Sequence, residues 1–234
     1  MTKLHLGCGR RLFHHFVNVD ILPDVGADVV EDIFTLPSFE SNSADLIVVI
    51  HAIEHCGRKT YMSALKRWHE VLKPGGTLRI AVPDIRAAME WYLKTFNLRD
   101  IHGLLWGGQK DEYDHHCIGW DQKTLTEDLT EVGFVNVRRY DWRTTEHFYV
   151  DDYSSAALPC VSYKTRTGPV ENFPVSLNME CYKPASGSPF IAPSFYCPKC
   201  GKPPYGYSAP DLDCRCEDGP KMSPECAKYR KLFE

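Results

Sequence analysis

Short apolar runs, each closed by a glycine, an acid or a histidine, set the rhythm of the chain as far as Tyr140. Lys3 to Leu6 predicts a strand that runs directly into Gly7-Cys8-Gly9. Arg10 to Phe16 is a short crossover, and Val17-Asn18-Val19-Asp20-Ile21 predicts a second strand ending near an acid. Ala27 to Val30 predicts a third, followed by Glu31-Asp32-Ile33. Ala44 to Ile50 is continuously apolar apart from Asp45, as expected of a strand buried on both faces of a parallel sheet. Arg58 to Leu72 has helical spacing, with Tyr61, Leu65, Trp68 and Leu72 on one face, and should stop at Lys73-Pro74-Gly75-Gly76. Thr77 to Val82 predicts the fifth strand.

Asp84 is placed to cap a helix reaching about Phe96. Residues 96–120 are polar and rich in glycine and histidine, and read as a long lid-like loop with one short helix. Asp121 caps a helix through Val132, Gly133 ends it, and Val135 to Tyr140 predicts a sixth strand. His147 to Pro169 is irregular, and Pro174 to Tyr182 alternates as a final, antiparallel strand would. Near Lys183 the periodicity gives way to proline, glycine and cysteine, which divides the chain into residues 1–183 and 184–234. Strands alternating with helices predict an α/β fold with a doubly wound, mostly parallel sheet. Ligands of such sheets bind at the carboxyl ends of the strands, which singles out Gly7 to Gly9, Asp20, Asp32, His51 to His55 and Pro83-Asp84.

Composition narrows this picture. A net charge of -4 and a pI near 6.2 give no global basic footprint for nucleic acid. No apolar run approaches the ~20 residues that span a bilayer, so no membrane role is expected. The start, Met1-Thr2-Lys3-Leu4-His5, lacks the apolar core of a signal peptide, and a cytoplasmic protein is expected. Ten cysteines divide into scattered ones, expected to be small core residues, and a cluster of five from Cys197 onward. In that cluster Cys197 and Cys200, with Cys214 and Cys216, have the spacing of a closed tetrahedral zinc site, and Cys226 is an alternative ligand. The segment is too poor in apolar residues to build its own core, so a structural Zn2+ would help it fold as a small zinc-ribbon-like appendage.

Read together, the strand-end residues resemble the class I S-adenosylmethionine-dependent methyltransferases. Leu4-His5-Leu6-Gly7-Cys8-Gly9 resembles their glycine motif, Ala44 to His55 their fourth-strand motif, and Val71-Leu72-Lys73-Pro74-Gly75-Gly76 their fifth-strand entry. Gly107-Gly108-Gln109, Tyr113-Asp114-His115-His116, Gly119-Trp120 and Glu131 to Phe134 resemble a bacterial and phage subgroup of small type 11-like methyltransferases linked to surface polysaccharide synthesis. The resemblance implies a Rossmann-like fold and S-adenosylmethionine as methyl donor. Leu6, Gly7, Cys8 and Gly9 would lie at its methionine end, the turn's amides facing the ligand. Asp20 and Ile21 would lie at the ribose, Asp32 and Ile33 at the adenine, and His51 at the pocket edge. His5 stands where many relatives carry an acid, and Arg11 where a third glycine is common. The short crossover after Gly9 implies a stunted first helix, and it argues against a nicotinamide dehydrogenase, whose ribose acid sits ~20 residues on.

Methyl transfer from a sulfonium needs alignment, and an oxygen nucleophile also needs a base. Histidine is the default base near neutral pH, and His116, then His55, with His51 beside them, are the candidates. N-capping is the favoured role for Asp84. The expected acceptor is a hydroxyl of a sugar or polysaccharide precursor, that is, a small molecule or glycan. Methylation of a nucleic acid or modified base, with the zinc tail as reader, is a second reading. From Cys197 onward seven Lys/Arg face six Asp/Glu, a poor phosphate-binding balance. An inactive methyltransferase fold serving as a scaffold is a third.

Overall fold

The computed structural model describes residues 1–158 and 173–185. The apolar run Ala44–Ile50 forms β4, which lies mid-sheet with Leu46 to Ile50 buried. Around it lie β1 (Lys3–Leu6), β2 (Val17–Asp20), β3 (Val29–Val30), β5 (Leu72–Pro83), β6 (Val135–Arg139) and β9 (Ser176–Tyr182). Their order is β3-β2-β1-β4-β5-β9-β6, with β9 antiparallel to both neighbours and the other pairings parallel. β7 (Ala157–Leu158) and β8 (Phe173–Pro174) make a separate small ribbon. The helices are α1 (Tyr61–Val71), α2 (Ile85–Thr95), α3 (His102–Trp106) and α4 (Gln122–Val132). The fold is thus α/β with a mostly parallel sheet, and the antiparallel final strand is where the alternation from Pro174 to Tyr182 places it.

Helix ends follow local chemistry. Asp84 caps α2 by accepting from the Ala87 amide at 3.1 Å, the role expected of it. Asp121 and Thr124 form a reciprocal cap on α4, and Gly133 ends it at φ +114°. The Lys73-Pro74-Gly75-Gly76 stretch corrects the sequence reading. It ends α1 but is not a turn outside the sheet, because β5 already begins at Leu72. The register slips there, from Ala44 opposite Leu72 to Leu46 opposite Thr77. Proline, which lacks a donor, and two glycines fit such an irregularity, and backbone hydrogen bonds from Gly75 to Lys183 and from Lys183 to Gly76 tie it to the end of β9.

Side-chain alternation separates the two faces of the sheet. Leu4, Leu6, Ile47, Val49, Leu78, Ile80 and Val82 pack with Leu65 and Trp68 of α1 and Leu125 and Leu129 of α4. Trp68 is fully buried, and its indole N–H donates to the Ile33 carbonyl at 2.7 Å. The opposite face lacks its first helix: among the described residues none forms between β1 and β2, where a stunted one was expected. Phe13 and Phe16 cover Leu46, Val48, Ile50 and Ala81 instead, joined by Val150 from the segment after β6. Asn18 holds this crossover in place. Its side chain accepts from the Phe13 amide and donates to the Phe13 and Phe16 carbonyls.

His5, the departure noted above, belongs to this substitute for a helix. Its ring lies flat on Phe13 at 3.6 Å, Phe13 lies on His147 at 4.4 Å, and His5 Nδ1 donates to Asn18 Oδ1. Glu146 fastens the same segment to the sheet through Lys3 and Arg79, and Arg79 also pairs with Glu180 at 2.8 Å. Arg11, the other departure, lies over the Tyr153 ring at 3.9 Å and bonds the Asp151 carbonyl. Both residues thus replace parts of a first helix with contacts to residues 146–153. Of the scattered cysteines, Cys8, Cys56 and Cys181 are buried core residues as expected, while Cys117 is exposed.

Candidate active site

Where β1 ends, Gly7 and Gly9 take φ +71° and +50°. A Cβ on Gly7 would lie 2.7 Å from the Ala52 Cβ and 3.3 Å from Ile33 Cδ1. Glycine is therefore required both by the left-handed backbone and by the close approach of the chain beyond β4. The amides of this turn are not aimed at a ligand, contrary to expectation. Gly7 and Cys8 donate to the Val19 carbonyl at 2.9 and 3.2 Å, and Gly9 donates to Asp20 Oδ2 at 2.7 Å. Burial and the Asp20 carboxylate push the Cys8 thiol up to about 12, so it is no nucleophile.

Asp20 is buried at the end of β2, and its Oδ1 accepts from the Leu22 amide at 3.0 Å. Each of its oxygens keeps acceptor capacity beyond these single bonds. Ile21 falls just outside the strand and leaves its side chain 41% exposed beside Asp20. Asp32 accepts from the Phe34 amide at 2.9 Å and from the Thr35 hydroxyl at 3.2 Å, which folds the turn that buries Ile33 against Gly7.

Three candidate histidines meet around Glu54, an acid of the fourth-strand motif that had been given no role of its own. Ile53–His55 is a single 3-10 turn, and α1 starts only at Tyr61. Glu54 is fully buried, with no hydrogen-bond partner on either carboxylate oxygen. His51 Nδ1 lies 3.3 Å from Glu54 Oε1, and His116 Nε2 lies 3.9 Å from the same atom. The His55 and His116 rings stand 4.9 Å apart. Burial favours a neutral Glu54, but His51, then His55 and His116, outweigh it and hold the carboxyl below its usual range. Burial lowers His116, against the pull of Glu54. His51 holds φ +48° at the end of β4, an uncommon conformation for a side-chain-bearing residue.

The 96–120 segment reaches this cluster through backbone bonds. The Cys117 amide donates to the Glu54 carbonyl at 2.7 Å, and His116 Nδ1 bonds the Leu104 carbonyl at 2.9 Å. Gly107 is dictated by its φ of +76° and by Asp114, whose backbone oxygen would lie 2.5 Å from a Cβ, and Gly108 leaves room for the Asp114 carboxylate that its amide bonds. The glycines and the Tyr113 to His116 run thus form one folded unit that delivers His116. Cys197, Cys200, Cys214, Cys216 and Cys226 lie outside the described residues. The missed member, Glu54, had a signal: an acid between two histidines directly after a buried strand.

Residues 4–80 match the methyltransferase-domain family. The sheet order with its antiparallel β9, and the glycine turn at the end of β1, give the chain a Rossmann-like methyltransferase fold. It is 31% identical to a demethylmenaquinone methyltransferase of Staphylococcus aureus over 120 residues, which cover 46% of each chain. The chain thus spans less than half the length of the curated relatives it matches. Among solved structures it is similar to an S-adenosylmethionine-dependent methyltransferase of Methanosarcina mazei, with 19% identity and a TM-score of 0.50 over 79% of this chain and 92% of that one. It is also similar to one of Archaeoglobus fulgidus, with 16% identity and a TM-score of 0.48 over 78% and 86%. No helix among the described residues is long and apolar enough to cross a membrane.

Proposed function

We propose that this chain transfers a methyl group from S-adenosylmethionine to a hydroxyl of a small-molecule or glycan acceptor. The observation that carries the reading is the convergence of three features at the carboxyl ends of β1, β2 and β4. These are a glycine turn too tight for a Cβ, a buried carboxylate with acceptor capacity to spare, and an acid ringed by three imidazoles. S-adenosylmethionine would supply an electrophilic methyl group. Gly7 to Gly9, Asp20, Ile21, Asp32 and Ile33 are the residues to hold it. Asp20 accepts from hydroxyls while remaining tied to the turn, and Ile21 offers apolar surface. An imidazole of the Glu54 cluster takes the proton that the acceptor hydroxyl loses, and Glu54 stabilises the cation so formed.

Asp20→Asn keeps one oxygen acceptor but removes the charge. It is expected to weaken S-adenosylmethionine binding about 10- to 100-fold, the worth of a charge-assisted hydrogen bond. Titration calorimetry on folded protein measures this. An intact wild-type fold that binds no S-adenosylmethionine would instead support the scaffold reading. We further propose that Cys197, Cys200, Cys214 and Cys216 hold a structural zinc ion in a reducing, cytoplasmic setting. Purified protein should then carry stoichiometric zinc; a markedly substoichiometric content, unchanged by zinc supplementation, argues against it.

A further inference from the structure

The Glu54 cluster has more acceptors than donors. A carbonyl oxygen only accepts, so the bonds from His116 Nδ1 to Leu104 O at 2.9 Å and from His55 Nδ1 to His115 O at 3.1 Å place the proton on Nδ1 of each ring. Each neutral ring then keeps a lone pair on Nε2, and His116 Nε2 faces Glu54 Oε1. A similar chain fixes His51. Asn178 Nδ2 donates to the Ser154 carbonyl, so its Oδ1 accepts from Ser176 Oγ, which in turn accepts from His51 Nε2 at 2.9 Å. His51 therefore turns Nδ1, its lone pair, toward the same carboxylate.

While all three imidazoles are neutral, their lone pairs and the two carboxylate oxygens face one another with no donor between them, and would repel in a buried site. An extra proton on His51 answers Oε1 only. It leaves Oε2 bare, and it leaves His116 Nε2 facing a carboxylate oxygen. A cation answers the His55 and His116 lone pairs and the carboxylate together, and leaves only His51 Nδ1 facing Oε1. One ligand-capable atom from each of Glu54, His55 and His116 already lies within 4.8 Å of the others. Bond lengths of ~2.0–2.2 Å to a central ion put tetrahedral ligand atoms about 3.4 Å apart, so His116 Nε2 and Glu54 Oε1, now 3.9 Å apart, need to close by about half an ångström, and no pair of the set by more than about 1.4 Å.

We propose that Glu54, His55 and His116 bind a divalent transition-metal cation of the zinc type. Two imidazoles and one carboxylate favour such an ion over magnesium or calcium, which take oxygen ligands. Three protein ligands leave a coordination position open, and an acceptor hydroxyl bound there would be acidified. That catalytic consequence rests on the methyl-transfer reading, whereas binding of the ion does not. With His55 and His116 as ligands, His51 is the imidazole of the cluster left to take a proton. The Nδ1 bonds to the Leu104 and His115 carbonyls are then the supports that aim each ligand's Nε2.

Cobalt(II) titration of the full chain tests the site, because it separates nitrogen and oxygen ligation from the thiolates of the tail. The chain carrying Cys197→Ser and Cys200→Ser is expected to bind cobalt with ligand-field bands and no sulfur-to-cobalt charge-transfer band. In that background His116→Gln and His55→Gln should each weaken binding at least ~10-fold. Absence of a nitrogen- and oxygen-type spectrum overturns the proposal, as does binding unchanged by both substitutions. If a substituted chain fails to fold, judged by circular dichroism, the unsubstituted spectrum decides. S-adenosylmethionine calorimetry on the same samples keeps the outcomes apart. Donor binding without cobalt binding rejects the metal site alone; cobalt binding without donor binding rejects the methyl-transfer reading alone.

Discussion

Gly7→Ala is expected to destabilise the fold by about 3 kcal/mol and to raise the dissociation constant for S-adenosylmethionine more than ~10-fold. Two costs add. The left-handed backbone at φ +71° costs a residue with a Cβ roughly 1–2 kcal/mol. The new methyl would also sit 2.7 Å from the Ala52 Cβ, and forcing it into so tight a junction costs roughly 1–3 kcal/mol more. Ala52 cannot retreat cheaply. It is buried between His51, held by Ser176, and the 3-10 turn that presents Glu54 and His55. The strain therefore reaches the donor pocket and the histidine cluster together. Gly9→Ala is the control, because Gly9 has φ +50° but nothing within 4 Å of its would-be Cβ. It should show the conformational cost alone, roughly 1–2 kcal/mol. Denaturant midpoints of the two variants, with calorimetry on each, measure the difference. Equal destabilisation would mean that Gly7 matters only for its backbone angle.

The same junction shows how much the sequence could tell. The sheet was legible because its strands are apolar runs ending in glycine, acid or histidine, and strand ends mark the ligand side of an α/β sheet. Gly7, Asp20 and the His51 to His55 segment do converge there. The amides of the turn were misjudged, since no local pattern says that the Val19 carbonyl and Asp20 will occupy them. Glu54 was overlooked because its meaning depends on His116, which is distant in the chain and is brought in by a segment whose own fold rests on Asp114 packing against two glycines. The extent of β5 was missed for a related reason. Proline and glycine mark an end to helix, but they do not say whether the chain then turns or bulges within a strand. The missing first helix was half visible, as a crossover too short for one. What replaces it was not, because Phe13 finds its partners in His5 of β1 and in His147, which lies beyond β6.

That replacement should make the protein acid-labile, and a single substitution should relieve part of the effect. Burial, reinforced by His147 and only partly offset by the Asn18 hydrogen bond, lowers the His5 pKa from 6.5 to about 3. Burial also lowers His147, with Asp152 and Glu146 opposing and Arg79 and Lys3 reinforcing. A histidine whose folded pKa is depressed is protonated first in the unfolded chain. The contribution of His5 is fully present above pH 6.5 and is lost as pH falls toward the folded value. Each such proton removes up to about 1.4 kcal/mol per pH unit. At pH 4.5 His5 alone should have cost about 3 kcal/mol relative to neutral pH. Carboxylates in the network add to this lower down, since against its burial a backbone hydrogen bond and the Arg79 and Lys3 pairings bring Glu146 to about 2. His5→Phe keeps the flat stacking on Phe13 and removes the titration. Asn18 Oδ1 still accepts from the Phe13 amide at 2.8 Å, so the loss at pH 7.5 should be about one hydrogen bond, ~1 kcal/mol. Chemical unfolding measured from pH 7.5 to 4.5 should then show the two stability curves crossing, with the variant the more stable at the acid end. His147, still buried against Phe13, should keep the variant's curve sloping downward toward acid. Parallel curves would show that His5 takes up its proton in the folded protein, and that the layer over β1 and β4 opens to water as the pH falls.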